Sequence, residues 1–393
     1  MSDPVETRRC PWEIAGHAAF VLLLLGVAIR LLVEADPQRQ NVYLKVFARA
    51  GEAFAAGQPL YELEHGFRYP PIAAALFAPF TWLGPRFGSI AWRLAGAALL
   101  WFGVQASLRR GLPRHYTRRE RGLFWLLLVP ALIGSVNNGQ PNALVLGLLL
   151  WATAAAWRGQ PQRSGLLVAA TAALKVYPLA QGLLLGVLRP RLLIGLAVGS
   201  ALAAALPFVL QDPDYVAGQY RALVDLLRVE DRSTDPANAY RDLRLLLLAA
   251  GWHLPTAWFL PLQALSGAAL AGLCLWLQRR KVADDVIFSG AFALMVCWFM
   301  LFGPATERVT YCLLAPALIW PVLDRNRPRW RVWVVLNALY LLDHVLAPSR
   351  NFQAAHVWSR CPLPALALAT ASLWVVELVQ AGRRSAARPN ALG

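Results

Sequence analysis

Charge is scarce in this sequence. Asp, Glu, Lys and Arg make up 15% of its 393 residues, whereas 58% are hydrophobic. A soluble domain carries about 25% charged residues. The deficit and the mean hydropathy of +0.45 place the chain in the membrane class. Cysteines are few: Cys10, Cys274, Cys297, Cys312 and Cys361. None sits in a CxxC pair or a Cys/His metal spacing, and three lie inside apolar runs, so they read as small buried residues. The absence of a Walker sequence and of GxGxxG removes the common Gly-rich phosphate cradles. The absence of HExxH and of a Ser/His/Asp order removes zinc-protease and triad chemistry. No metal or cofactor is expected. Neither an internal repeat nor a long low-complexity linker divides the chain, which reads as one membrane domain over 1–393.

Basic residues are in excess, and the net charge is +16. Such a balance would suit nucleic acid, but the arginines sit in short clusters between apolar runs, as loop charges of membrane proteins do. No RNA- or DNA-binding motif accompanies them, so nucleic acid is set aside as a partner.

A bilayer core needs about 20 apolar residues per helix, fewer for a short helix packed inside a bundle. Candidate spans are Trp12–Val33, Gly88–Ser107, Gly122–Val136, Gln140–Trp157, Gly165–Leu174, Pro178–Leu188, Leu192–Leu210, Pro255–Leu277, Ile287–Gly303, Thr310–Leu323, Trp330–Ala347 and Pro362–Gln380. The first follows the basic pair Arg8–Arg9 with no small-residue cleavage site before Glu34, and so reads as an uncleaved helix. The expected fold is all-α and polytopic, with about 12 transmembrane helices. Lys175 and Pro178 interrupt one stretch, which reads as two half-spans meeting at a break.

The run Ile72–Leu83 is left out of the spans. It is apolar, but Pro70, Pro71, Pro79 and Pro85 open, interrupt and end it. The basic connections are Arg8–Arg9, Arg109–Arg121, Arg158–Arg163, Arg189–Arg191, Arg279–Lys281, Arg325–Arg331 and Arg383–Arg388. All seven fall on the cytoplasmic side only if Ile72–Leu83 does not cross. It is therefore expected on the outer face, lying along the membrane or dipping into it. Both termini are then cytoplasmic.

The long segments lie outside. A first outer loop, 34–87, contains "NVYLKVFARAGEAFAAG", with Val42, Val46, Phe47, Ala50 and Phe54 at helical spacing and Gly57 as the stop. A second, 211–254, is polar and rich in Asp. Ser349–Arg360 is short, basic and aromatic. A chain whose elaborate polar parts face outward is expected to work there.

Ionisable groups inside apolar runs are expensive and usually functional. Lys175 stands about ten residues from either flank and needs a buried anion or a wet cavity. Arg30 and Arg93 read as snorkelling side chains, with Arg93 near the inner end of its span. Glu307 and Arg308, and Asp343 and His344, lie at outer membrane edges. The turn "SVNNGQPNA" gathers Asn137, Asn138, Gln140 and Asn142, amides suited to hydroxyls and phosphate oxygens, although an ordinary capped turn has the same composition. Candidate base carboxylates are Glu34 and Asp36, directly after the first span, and then Glu52, Glu62 and Glu64. Tyr61, Arg68 and Tyr69 could grip a phosphate and stack on a sugar.

The order of these pieces resembles glycosyltransferase family 87, integral membrane enzymes of the GT-C superfamily. The matching segments are Val42–Tyr61, Arg68–Phe80 ("RYPPIAAALFAPF"), Asn137–Asn142 ("NNGQPN"), Lys175–Pro178 ("KVYP"), Pro207–Tyr220 and Glu307–Pro316. The resemblance implies a GT-C-like fold with juxtamembrane helices in the first outer loop. It implies inverting transfer of a hexose, usually mannose, from a polyprenyl-phosphate-sugar to a lipid-linked or glycan acceptor. The reaction would take place on the extracytoplasmic face of a bacterial plasma membrane, among membrane lipids. In that family an acidic residue of the first outer loop is the base. Counting back from Phe47, this chain has Tyr43 there, so Asp36, with Glu34 second, is the expected base. Lys175, Arg68, Arg308 and Glu307 are expected at the donor phosphate and lipid head, and Tyr69, Asn137, Gln140 and Asn142 at the sugar. Two other readings stand beside this one: a secondary transporter or lipid flippase, and an inactive sugar-lipid binding or assembly protein.

Overall fold

A computed structural model describes residues 10–61, 66–109, 111–229, 239–304, 306–346, 352–353 and 356–386. Among these residues every regular element is a helix. In chain order they are α1 (Pro11–Val33), a π-helical stretch (Tyr43–Ala48) running into α2 (Arg49–Ala55), α3 (Pro71–Thr81), α4 (Gly84–Leu108), α5 (Arg118–Asn138), α6 (Asn142–Trp157), α7 (Pro161–Ala172), α8 (Leu179–Leu188), α9 (Leu192–Leu210), α10 (Pro213–Val229), α11 (Leu243–Ala249), α12 (Thr256–Arg279), α13 (Asp284–Phe302), a 3-10 helix (Arg308–Leu314) leading into α14 (Ala315–Leu323), α15 (Trp330–Val345), a 3-10 turn (Val357–Arg360) and α16 (Pro362–Ala386). Helix occupies each of the expected spans.

Six helices, α1, α4, α9, α12, α13 and α16, are long and apolar enough to cross a bilayer. Their burial sorts them into layers. The apolar stretch of α13 is 78% buried, that of α12 only 11%. The helix α6 is buried on almost every side. A helix that is apolar all round belongs either in a core or against lipid, and here both occur. The centre is α6, α13 and the 308–323 helix, while Leu22, Ile29, Leu202, Val209 and Leu265 are exposed on the outer helices. An exposed apolar girdle around an apolar core is a polytopic membrane protein.

Without a hydrophobic force between helices in lipid, close packing of small residues joins them. The pairs Gly16/Gly122, Gly103/Gly147 and Gly165/Gly195 do so for α1/α5, α4/α6 and α7/α9. A Cβ on Gly103 would lie 1.9 Å from the Gly147 carbonyl oxygen.

Polar contacts sort the helix ends into two sets. At one end Arg121 pairs with Glu13 (3.0 Å), Arg114 donates to the Leu323 carbonyl (2.8 Å), Arg189 pairs with Asp284, Arg327 pairs with Glu377 (2.6 Å) and Ser385 donates to the Arg280 carbonyl (2.7 Å). These contacts gather most of the basic connections. At the other end Arg86 donates to the Glu34 carbonyl (3.2 Å) and Asn41 to Ser89 (3.1 Å). The start of α4 therefore lies at the end where α1 finishes. The 11-residue α3 is about 16 Å long at 1.5 Å per residue, roughly half of a bilayer core. It packs its Ile72, Ala73, Ala74, Phe77 and Ala78 face inward, against the π-helical stretch, α2, α4 and α9.

The break at Lys175 is a helical hairpin. The 12-residue α7 and the 10-residue α8 run about 18 and 15 Å, roughly half a bilayer core. The α7 base lies against α9 at Leu192–Gly195, and Gln278 donates to the Leu188 carbonyl at the end of α8 (3.3 Å). Both feet stand at the basic end, and Lys175 caps the tip.

Candidate functional site

A chain of side-chain hydrogen bonds starts at that tip. Lys175 Nζ donates to Asn142 Oδ1 (2.7 Å), Asn142 Nδ2 donates to Gln140 Oε1 (3.0 Å), and Gln140 Nε2 donates to Glu307 Oε2 (2.9 Å). Asn142 is fully buried, Lys175 and Gln140 are half-buried, and Glu307 is exposed. The ammonium also stands 5.7 Å from the centre of the Tyr177 ring. Two helices start here: α6 at Asn142 and the 3-10 helix just after Glu307. Helix N-termini carry unpaired N–H groups and partial positive charge. The Glu307 carboxylate accepts from the backbone of its own helix start, with Thr310 closing the capping box. Together with Lys175, this end of the bundle offers donors to an anion and amides to hydroxyls.

Tyr69 borders the group. Burial, with the Glu307 charge second, pushes its phenol up, so it is a neutral donor, and the neighbouring Arg68 partly offsets that rise. Its carbonyl accepts from Tyr61 Oη (2.7 Å), and its ring meets Phe47 edge-on at 5.2 Å.

The other expected residues lie elsewhere. Arg308 Nε pairs with Asp343 (3.2 Å), and the same guanidinium donates to the Asp343 carbonyl. Asn137 faces the α1 exit: its side chain donates to Gln40 (3.2 Å), and its carbonyl accepts from Arg30 (3.0 Å) and Arg93 (2.9 Å). The turn Ser135–Ala143 is thus shared, with Asn137 on one cluster and Gln140 and Asn142 on the other. Asp36 is exposed, and its carboxylate accepts from the Gln38 N–H in a local turn (2.9 Å). Glu34 stands 3.8 Å from Arg39. Neither shares a hydrogen bond or ion pair with the Lys175 group. Glu62 and Glu64 lie outside the described residues.

Arg93 requires correction. It is buried and sits at the same end as Asn137, not near the basic end. It donates to the carbonyls of Val136 (2.8 Å), Ser89 (2.9 Å) and Asn137, and to Asn41 Oδ1 (3.1 Å). The last carbonyls of α5 have no helical partner, and a guanidinium with five donors satisfies them. Arg93 therefore pins helices instead of snorkelling. Tyr43 is buried as well, stacked on Trp92 at 6.3 Å and edge-on to Phe77 at 6.4 Å.

Sequence reasoning missed Tyr177 and Arg241. Tyr177 was visible inside "KVYP". Arg241, which donates to Gln353 (2.6 Å) and whose carbonyl accepts from Tyr311 Oη (2.7 Å), had no cue, since it is one arginine in a polar loop. Burial brings its pKa down to about 10. Among the described residues no three His, Cys, Asp or Glu side chains gather as metal ligands would.

An all-helical bundle in the membrane, with a cation, amides and a carboxylate linked at one end, defines a polytopic membrane protein with a one-sided polar site. The sequence model of glycosyltransferase family 87 matches residues 67–304, more than half of the chain. The chain belongs to that family and is a membrane glycosyltransferase. No curated protein matches it. The matched region contains Arg68, Tyr69, Asn137, Gln140, Asn142 and Lys175; Glu34, Asp36, Glu307 and Arg308 fall outside it.

Proposed function

We propose that the chain transfers a hexose, mannose first among the candidates, from a polyprenyl-phosphate-sugar to a lipid-linked or glycan acceptor, with inversion. The reaction takes place on the extracytoplasmic face of the cell membrane, with the basic end in the cytoplasm, as the positive-inside bias favours. One observation carries this reading: the linked Lys175–Asn142–Gln140–Glu307 group at the end opposite the basic connections. Lys175 holds the donor phosphate and offsets its charge as it leaves. Gln140 and Tyr69 hold sugar hydroxyls, and Asn142 holds Lys175 in place. Arg68, next to Tyr69, adds positive charge around the head group, while Arg308 stays paired with Asp343.

An inverting transfer needs a carboxylate to take the acceptor proton while the hydroxyl attacks the anomeric carbon. Glu307 is the carboxylate joined to the Lys175 group, and we assign it first. Asp36 and Glu34, at the exit of α1, are the alternative. The test uses purified protein in nanodiscs with polyprenyl-phosphate mannose and reads release of polyprenyl phosphate. Loss of the base lowers turnover by about 10²–10⁴-fold with donor binding largely kept. That loss in Glu307→Gln supports the first assignment; the same loss in Asp36→Asn alone moves the base to the α1 exit.

The burial of Tyr43 favours a second reading, an inactive sugar-lipid binder, because no carboxylate stands where the family's base is expected. Tight donor binding without turnover for any polyprenyl-phosphate hexose or acceptor would establish it.

A further inference from the structure

The basic end of the bundle holds a cavity of about 310 Å³, far from the Lys175 group. Its walls are the 113–116 connection, the start of α13, the end of α14 and the last turns of α16. Three of its charges are already matched. Arg327 pairs with Glu377 at 2.6 Å and lies over the Trp374 ring at 4.1 Å; Arg114 pairs with Glu120 at 2.6 Å. Trp333 Nε1 completes the Glu377 shell at 2.8 Å. Other lining charges are uncommitted. Asp285, Asp324 and Arg384 have no ion-pair partner among the described residues.

Polar atoms in the lining are also uncommitted. Tyr116 is 5% exposed and Trp320 1%, yet the phenol oxygen and the indole N–H have no protein hydrogen-bond partner. Trp125, Trp151, Tyr43 and Tyr177 hold donors of the same kind elsewhere, so at the cavity these two count beside the unpaired charges, where ordered water or a ligand would satisfy them. The volume falls at the lower edge of small-molecule sites, about 300–1,000 Å³.

The lining selects the ligand. Two free carboxylates, Asp285 and Asp324, suit an organic ammonium by charge; Arg327 and Arg114 already lie over the Trp374 and Tyr116 rings. The exposed Arg384 at the rim suits a phosphate. We propose that this cavity binds an amine-bearing phosphoester head group, phosphoethanolamine, either free or as the head of a phospholipid. The ammonium sits between Asp285 and Asp324, and the phosphate faces Arg384. The ligand then bridges α13, α14 and α16 at the end away from the chemistry.

The experiment uses the full chain in nanodiscs made only of phosphatidylglycerol. Phosphatidylethanolamine is added in the lipid phase, or glycerophosphoethanolamine in the water. Native mass spectrometry counts retained adducts, and the thermal midpoint is read in parallel. Retention of the ethanolamine lipid over phosphatidylglycerol, with a raised midpoint, is expected. A response to the water-soluble ester as well shows that the head group suffices; a response to the lipid alone shows that the acyl chains are needed. Both support the site. In Asp285→Asn/Asp324→Asn the affinity should fall about tenfold or more. Should that double variant fail to fold, Arg384→Gln, at an exposed position, should lower affinity with an unchanged ligand-free midpoint. Equal retention of both lipids by the wild type, or unchanged affinity in a folded variant, overturns the proposal.

Discussion

Replacing Lys175 by Met removes one charge and keeps the length of the side chain. In the structure Nζ donates to Asn142 Oδ1 at 2.7 Å and faces the Tyr177 ring. Two effects on stability oppose each other. Asn142 is fully buried, and an acceptor left without its donor costs about 1–3 kcal/mol. Removing an ammonium from a poorly solvated position returns part of its desolvation. The net change should stay within about 2 kcal/mol, and the protein should fold. The effect on turnover has no such offset. A hydrogen bond to a charged group is worth about 1.5–3 kcal/mol. Lost in the transition state, it lowers kcat/KM by about 10- to 150-fold. The assay is release of polyprenyl phosphate from a polyprenyl-phosphate-sugar under single-turnover conditions, with donor binding measured on the same samples. Lys175→Arg keeps the charge but brings a wider planar fork, so partial activity is expected. A folded Lys175→Met protein with unchanged donor binding and turnover would refute the reasoning and move the phosphate site away from the hairpin tip.

Three further outcomes are expected. Arg93→Gln removes a shared donor from the Val136, Ser89 and Asn137 carbonyls, although Val136 keeps the Gly139 N–H and Asn137 keeps Arg30, and should destabilise by about 1–3 kcal/mol, seen as a lowered thermal midpoint after extraction. Gly103→Ala puts a Cβ 1.9 Å from the Gly147 oxygen and should cost at least about 1–3 kcal/mol in thermal stability, whereas Gly26→Ala, with open space around it, should be neutral. Cysteines placed at the exposed Trp82 and Phe87 should react with an impermeant maleimide added outside intact cells, and labelling only after permeabilisation would show that α3 crosses the membrane.

Hydropathy made the spans legible because a bilayer imposes one length and one polarity on each crossing. The hairpin was legible for the same reason: Lys175 and Pro178 divide a stretch too short to cross twice. Lys175, Gln140 and Asn142 could be named because polar groups in apolar runs are rare. Their partner could not be deduced, since Glu307 lies 167 residues from Gln140 and only packing brings them together. The pairing of Arg308 with Asp343, 35 residues apart, was hidden in the same way. Arg93 was misjudged because its depth depends on its register against α5, which no single-helix pattern contains. The cavity at the basic end is built from four separate elements, so it left no local signature at all.

The short hairpin explains why the proposed site is one-sided. A full-length pair of helices would carry the α7–α8 turn to the membrane surface, where an ammonium is solvated and weak. Halving their length holds Lys175 at the depth where α6 begins, among buried amides. There the local dielectric is low, and a donor already fixed in place acts on an anion without reorganising. The same depth would make an unpartnered ammonium costly. Asn142, Tyr177 and the Glu307 charge offset that cost while the site is free. In the reaction we propose, a donor phosphate would need only to replace the Asn142 contact, so the cation would be positioned by structure and released by its ligand. This predicts that Asn142→Leu should impair folding more than turnover per folded molecule, since it removes the resting partner of Lys175 and not the charge that meets the phosphate. Turnover per folded molecule that falls as far as in Lys175→Met would show that Asn142 itself touches the donor.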